Sequence, residues 1–393
     1  MAPAALPYLR FVFASDAFKG TLSSPQTAAY LQGAARDYFP DCECVGIPMA
    51  DGGEGTATAL VAACGGRMCG VDVHDPLGRP IHASYGLLEG NRAVIEMAAA
   101  SGDQLLLPEE TNPLGASTYG TGELISDALA KGCRDITIAL GGSAAADGGM
   151  GCMRALGARF LDQDGVELMG TGHDLAQVRS IDLSLFRLYV GETHFRVMCD
   201  VPNPLLGQEG TASLYAQGES CLSEGQVQEL EAGLASYADV LDQTFGRASG
   251  QSVRDVPGAG AAGGLGAAAM AFFAAQLQSG IASVLDLVGF DRILSGAALC
   301  VTGEGSFDAR SRGSKVVAGV AAACKAAGVP CVALVGEIGD GASAAKVPGL
   351  TAIVPTMEEP MSQDQAIMDA DRLYVRAAER LFSILSLGAG FGA

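Results

Sequence analysis

At five places in this 393-residue chain an acidic residue and glycines follow a short apolar run. They are Asp16, Asp51 with Glu54, Asp147, Asp200, and Glu304 with Asp308. A carboxylate in such a place accepts a proton from a hydroxyl or holds Mg²⁺ through oxygen. Flanking glycines let backbone N–H groups come close to an anion. These are the parts that phosphoryl transfer to a small hydroxyl compound requires: a base, a divalent cation, and donors that offset charge on the moving group. Taken singly, each aspartate is equally explained as a helix N-cap. The fivefold recurrence is what points to an acidic, Mg²⁺-using cleft, with Asp51, Glu304 and Asp308 as metal candidates and Asp16 or Asp200 as the base.

The richest of these places is Asp135–Gly151, DITIALGGSAAADGGMG. Ile136 to Leu140 has the length and character of one buried strand. It breaks into Gly141-Gly142-Ser143, and Asp147-Gly148-Gly149 precedes a helical pattern. The two glycine groups read as a cradle for phosphates. Cations are scarce around them. The chain has five lysines, and Lys19 and Lys315 lie in glycine-flanked, loop-like stretches. Lys315 stands just inside a helix start, where the helix dipole disfavours a cation and an anionic ligand or a carboxylate favours one.

The elements that must position these residues alternate. Strands are expected at Leu9–Ser15, Cys44–Pro48, Thr193–Cys199, Ala298–Thr302, Val329–Val335 and Leu350–Val354. Helices are expected from Pro25 to Tyr38 and over Asp364–Leu387. Met68–Val73, Pro80–Leu88 and Arg92–Met97 read instead as an antiparallel segment. The pattern predicts two α/β domains. Residues 1–66 and 284–393 form a Rossmann-like, parallel three-layer domain, and a mixed α/β domain, 67–283, is inserted into it. Ligand sites in such sheets lie at the carboxyl ends of the strands.

Composition excludes several classes. The formal charge is −20, which repels nucleic acid and anionic membranes. No apolar stretch approaches the roughly 20 residues of a membrane span, and the first residues lack the apolar core of a signal peptide. A cytoplasmic protein that acts on small molecules is expected, with its oligomeric state left open. The eleven cysteines and four histidines show no zinc spacing, so reduced core cysteines are expected. There is no nucleophile elbow and no P-loop. GAGAAGGLG (258–266) follows no long strand, so it reads as small residues that let a helix pack closely rather than as a dinucleotide motif.

In order along nearly the whole chain, SDAFKGTLS (15–23), MADGGEGT (49–56), DPLGRP (75–80), EMAAASG (96–102), STYGTGELI (117–125), LGGSAAADGG (140–149), CDVPNPLLG (199–207), GAGAAGGLG (258–266) and VTGEGSFD (301–308) resemble segments of the type I glycerate kinases. The resemblance implies ATP as co-substrate, Mg²⁺, D-glycerate as acceptor and 2-phosphoglycerate as product. It also implies a site in a cleft between the two domains. Under it, Asp16, Lys19 and Asp200 are catalytic. Gly141, Gly142, Ser143, Asp147, Gly148, Gly149 and Lys315 bind substrate or phosphate.

Three positions depart from the family pattern. Ala145-Ala146 stands where the family has Thr-Asn. Leu214–Ser220 lacks the family's lysine. Ser306 stands where an arginine is usual, although Arg310 and Arg312 are nearby. Altered nucleotide affinity or another small hydroxy acid is therefore a second expectation, and Ala145-Ala146 is where altered chemistry is expected first. A non-catalytic relative that binds nucleotide or acid is a third, and a dinucleotide-dependent oxidoreductase a fourth.

Overall fold

The computed structural model describes residues 9–18, 20–217, 222–246, 252–307, 315–339 and 343–391. Lys19, Asp308, Arg310 and Arg312 lie outside the described residues, as do residues 218–220 of the segment that departs from the family. The chain forms two compact units, Met1–Asp51 with Ile281–Ala393, and Gly52–Gly280.

The chain enters the first unit with β1 (Arg10–Ser15) and β2 (Glu43–Gly46). The second unit contributes β3 (Gly66–His74), β4 (Pro80–Leu88), β5 (Arg92–Glu96), β6 (Asp135–Ala139), β7 (Arg159–Leu161), β8 (Ser180–Asp182), β9 (His194–Met198) and β10 (Gln276–Gln278). The chain returns with β11 (Leu299–Phe307), β12 (Cys331–Ile338) and β13 (Leu350–Pro355).

The first unit is a five-stranded sheet in the order β13-β12-β11-β1-β2, parallel throughout. Phe11 to Ala14 and Cys331 to Val335 are buried without interruption, as a parallel sheet covered on both faces requires. On one face Phe11, Phe13, Phe39 and Phe382 meet edge to face, with centroids 5.3–6.5 Å apart. Such pairs add to the gain from burial alone. Helices Ser24–Tyr38 and Ala370–Phe391 carry Phe39 and Phe382 into that cluster.

Cys300 and Cys331 are register partners on β11 and β12. They meet Cys324 of helix Lys315–Ala327, with the three Sγ atoms within 4.8 Å of one another and all three residues buried. Spacing gave no sign that these cysteines converge. They pack as small apolar residues in the core.

The strand expected over Ala298–Thr302 runs on to Phe307, through what reads in the sequence as a loop. Its glycines explain the extension. A Cβ on Gly303 would sit 2.1 Å from the Leu334 carbonyl, and one on Gly336 would sit 2.3 Å from that of Gly305. Without side chains there, β11 and β12 pair through Phe307 and Ile338, and Glu304 is fixed on a strand. The last helix also differs from expectation. It is two helices, Gln363–Met368 and Ala370–Phe391.

The second unit holds a six-stranded sheet in the order β10-β9-β6-β5-β4-β3. β3, β4 and β5 pair antiparallel, and β5, β6, β9 and β10 pair parallel. Helix Thr56–Cys64 belongs to this unit, where Ala57 and Val61 pack over Gly86. β7 and β8 form a separate two-stranded ribbon. The glycine-rich stretch 258–266 leads into helix Ala261–Phe273, whose Ala262, Gly263 and Gly264 are all left-handed, with φ of 50°, 65° and 95°. No helix among the described residues is long and apolar enough to cross a membrane.

Candidate active site

In the first unit the carboxyl ends of β1, β11, β12 and β13 open into a pocket of about 580 Å³. Asp16 follows β1 directly. Its backbone N–H continues the ladder to the Gly303 carbonyl at 2.9 Å, and its Oδ1 accepts from the Ala17 N–H at 2.8 Å. That bond to the next residue holds the carboxylate at the strand end. Asp51 and the buried Glu304 line the same pocket, with Ser306 and Glu337. Asp16, Asp51 and Glu304 are thus brought together. Lys315 begins helix Lys315–Ala327, half-buried, and is not among the residues that line this pocket.

A second pocket, about 500 Å³, lies in the second unit. Its lining includes Gly141, Gly142 and Ser143 after β6, and Gly260 to Gly263 at the kinked helix start. Gly142 is left-handed (φ 61°), a backbone state that glycine enters without steric cost. The two loops interlock. The Gly148 N–H donates to the Gly263 carbonyl at 2.9 Å, and a Cβ on Gly263 would lie 1.9 Å from the Ala145 carbonyl.

Asn203 ties the second loop down. Its carbonyl accepts from the N–H groups of Gly258 and Gly260, at 3.1 and 3.2 Å. Asn203 is among the residues that line the pocket. Asn203 is 7% exposed, and neither its Oδ1 nor its Nδ2 has a hydrogen-bond partner. A buried amide left unsatisfied is costly. The sequence reading passes over Asn203. Its signal was the DVPNP run, which names the residue type but not the missing partner.

Asp147, Gly148 and Gly149 do not join this lining. Asp147 is fully buried and spends its carboxylate internally. Oδ2 accepts from the Thr118 N–H at 2.7 Å, the Thr118 hydroxyl at 2.9 Å and the Gly151 N–H at 3.2 Å, and Oδ1 accepts from the Gly149 N–H at 2.8 Å. Burial pushes its pKa up, against the pull of those donors. A Cβ on Gly148 would meet Leu175 and Tyr237 at 2.9 Å, and one on Gly149 would meet Ala268 at 2.6 Å. The geometry of these three residues is that of a brace behind the loop.

Ala145 and Ala146, where altered chemistry is expected from the sequence, are also fully buried. They lie behind the loop rather than in its lining. The Tyr215 hydroxyl supports that loop. It lies 2.8 Å from the Ala145 carbonyl and 3.2 Å from that of Ser143, and burial raises its pKa, so it stays a donor. Asp200 follows β9 and accepts from the Gly280 N–H at 3.0 Å.

The family model described as the glycerate kinase family matches residues 11–386. A glycerate 2-kinase from Escherichia coli K12 is 38% identical over 381 residues, covering 97% of this chain and 99% of that one. A glycerate kinase from Halalkalibacterium halodurans is 38% identical over 377 residues, covering 95% and 98%. The crystal structure of a Salmonella typhimurium LT2 protein assigned as a glycerate kinase 2 superposes with a TM-score of 0.87 at 35% identity, covering 97% of this chain and 99% of that one.

Proposed function

This chain belongs to the glycerate kinase family, and on that premise we propose that it transfers the γ-phosphoryl group of ATP to the 2-hydroxyl of D-glycerate, with Mg²⁺, giving 2-phosphoglycerate and ADP. The observation that carries the reading is the pair of unlike pockets. One is lined by carboxylates. The other is lined mainly by glycine-rich backbone, with one carboxylate, Asp103, and a buried, unpartnered amide.

In the reaction the 2-hydroxyl oxygen bonds to the γ-phosphorus and the bond to the bridging oxygen breaks. The hydroxyl proton passes to a carboxylate, that of Asp16 or Asp200. Gly141 to Ser143, with Ala262 and Gly263, offer backbone donors to phosphate oxygens, and the Asn203 amide adds one side-chain donor. In this reading Asp147, Gly148 and Gly149 serve that cradle from behind. Lys19 and Lys315 balance anionic charge.

The pocket of the first unit fits Mg²⁺ by its donor set. Asp51 and Glu304 offer hard oxygens, and Asp308 is a further candidate. Among the described residues the one trio of ligating side chains gathered within 4.8 Å is the buried cysteine set. The carboxylates therefore suit a cation that keeps water and phosphate oxygens for most of its positions, as Mg²⁺ does. When bound, Mg²⁺ neutralises charge on the phosphate oxygens.

ADP release by purified protein with Mg·ATP and D-glycerate tests the reading, and no turnover on glycerate overturns it. Turnover on a neighbouring hydroxy acid instead would favour the reading that the altered residues around the loop shift substrate choice. Of Asp16→Asn and Asp200→Asn, the one that removes the base lowers kcat by about 10²–10⁴-fold, and a variant with unchanged kcat is not the base.

A further inference from the structure

We infer that the pocket at the carboxyl edge of the five-stranded sheet receives the nucleoside end of the phosphoryl donor, with the purine against Met357, Met361 and Ile367. The inference rests on the kinase reading above and assigns a part of the donor to one set of side chains.

Charge is the first argument. Asp16, Asp51, Glu304 and Glu337 line this pocket, and its lining contains no lysine or arginine among the described residues. Carboxylates are hydrogen-bond acceptors and bind groups that donate. A nucleoside is uncharged, and its ribose hydroxyls are donors that a carboxylate accepts, a pairing that recurs in nucleotide-binding α/β sheets.

Size is the second. A cavity of about 580 Å³ falls in the range that encloses ligands of drug size, and a three-carbon acid leaves most of it empty.

The apolar part of the lining is the third argument. The stretch after β13 brings Met357 and Met361 to it, and helix Gln363–Met368 brings Ile367. Phe18 and Tyr374, edge to face with centroids 5.2 Å apart, line the pocket as well. Thioethers adapt to a flat ring and make favourable sulfur–aromatic contacts. Ile367 is 47% exposed, a large aliphatic side chain beside a cavity that contains acceptors. An apolar wall with a few convergent polar groups is how small-molecule sites are built.

Ile367→Ala and Ile367→Asp test the assignment on the full chain. The side chain is exposed, so neither change disturbs the core. Calorimetric titration with ADP and Mg²⁺, and separately with adenosine, reads affinity without turnover. The assignment expects weaker ADP binding by about threefold in Ile367→Ala and tenfold or more in Ile367→Asp, with an unchanged unfolding temperature and the KM for glycerate within twofold. Unchanged ADP affinity in both variants overturns it. So does a raised glycerate KM with ADP affinity unchanged, which would give the pocket to the acceptor. Wild-type protein that binds neither ADP nor adenosine overturns it as well. ADP binding that depends on Ile367 in a protein with no turnover on glycerate would leave this assignment standing and remove the kinase reading.

Discussion

At the carboxyl edge of the five-stranded sheet the chain sets out carboxylates, and at the same edge of the six-stranded sheet it sets out glycine backbone. Both edges follow the same local recipe of strand, acidic residue, glycines and helix. The outcomes diverge because the side chains face differently. Asp16 and Glu304 line a pocket, whereas Asp147 turns inward and is used up on Thr118, Gly149 and Gly151. One edge suits a cation and uncharged polar groups. The other sets glycine backbone beside the amide of Asn203 and the carboxylate of Asp103. An acidic residue beside glycines therefore has two opposite uses, and what its carboxylate faces tells them apart.

The largest test of that contrast is Asp147→Ala. The change leaves several buried donors unpaired, and the expected loss is about 3 kcal/mol of stability or more, read by denaturant unfolding. A folded Asp147→Asn enzyme with wild-type stability but little kcat would instead move Asp147 into the chemistry. The two edges would then resemble each other after all.

Asn203→Leu is expected to act in two directions. Removing an unsatisfied buried amide leaves stability equal or higher. Losing a donor to a charged ligand raises the KM for ATP by roughly 10–100-fold, the equivalent of about 1.5–3 kcal/mol. Thermal unfolding and steady-state kinetics on the same preparation check both. A destabilised variant with an unchanged KM would show that the amide serves the fold, and the anion-binding character of this edge would then rest on backbone alone.

The smallest effect is expected from Tyr215→Phe. It removes one neutral hydrogen bond behind the loop Gly141–Ser143, about 0.5–1.5 kcal/mol. A KM for ATP raised by roughly 2–10-fold with kcat nearly unchanged is the expected split. The same change in kcat with KM unchanged would place the loop's role in the transition state rather than in binding.

Much of the framework was legible from residue pattern. Phe11 to Ala14 and Ile136 to Ala139 read as buried strands because an uninterrupted apolar run has no solvent face to alternate with. Pro80–Leu88 read as an antiparallel strand because its turns are marked by Asp75-Pro76-Leu77-Gly78 and Glu89-Gly90-Asn91. The extension of β11 through Phe307 was hidden. Gly303 and Gly336 look like loop residues until the neighbouring strand shows that a Cβ would have no room.

The order of strands, loops and helices, the α/β class and the presence of an acidic and glycine-rich ligand edge were determined by the sequence itself, because periodicity and turn chemistry are local. Tertiary structure decided which carboxylates face a pocket. Asp147 is turned inward by Thr118, 29 residues upstream. Asn203 is left open because the glycines of 258–260 take its carbonyl and nothing takes its amide. Cys300, Cys324 and Cys331 meet only once β11, β12 and their crossover helix pack. Each of these outcomes depends on partners distant in the chain, and spacing along a sequence carries no record of which distant group satisfies a polar atom.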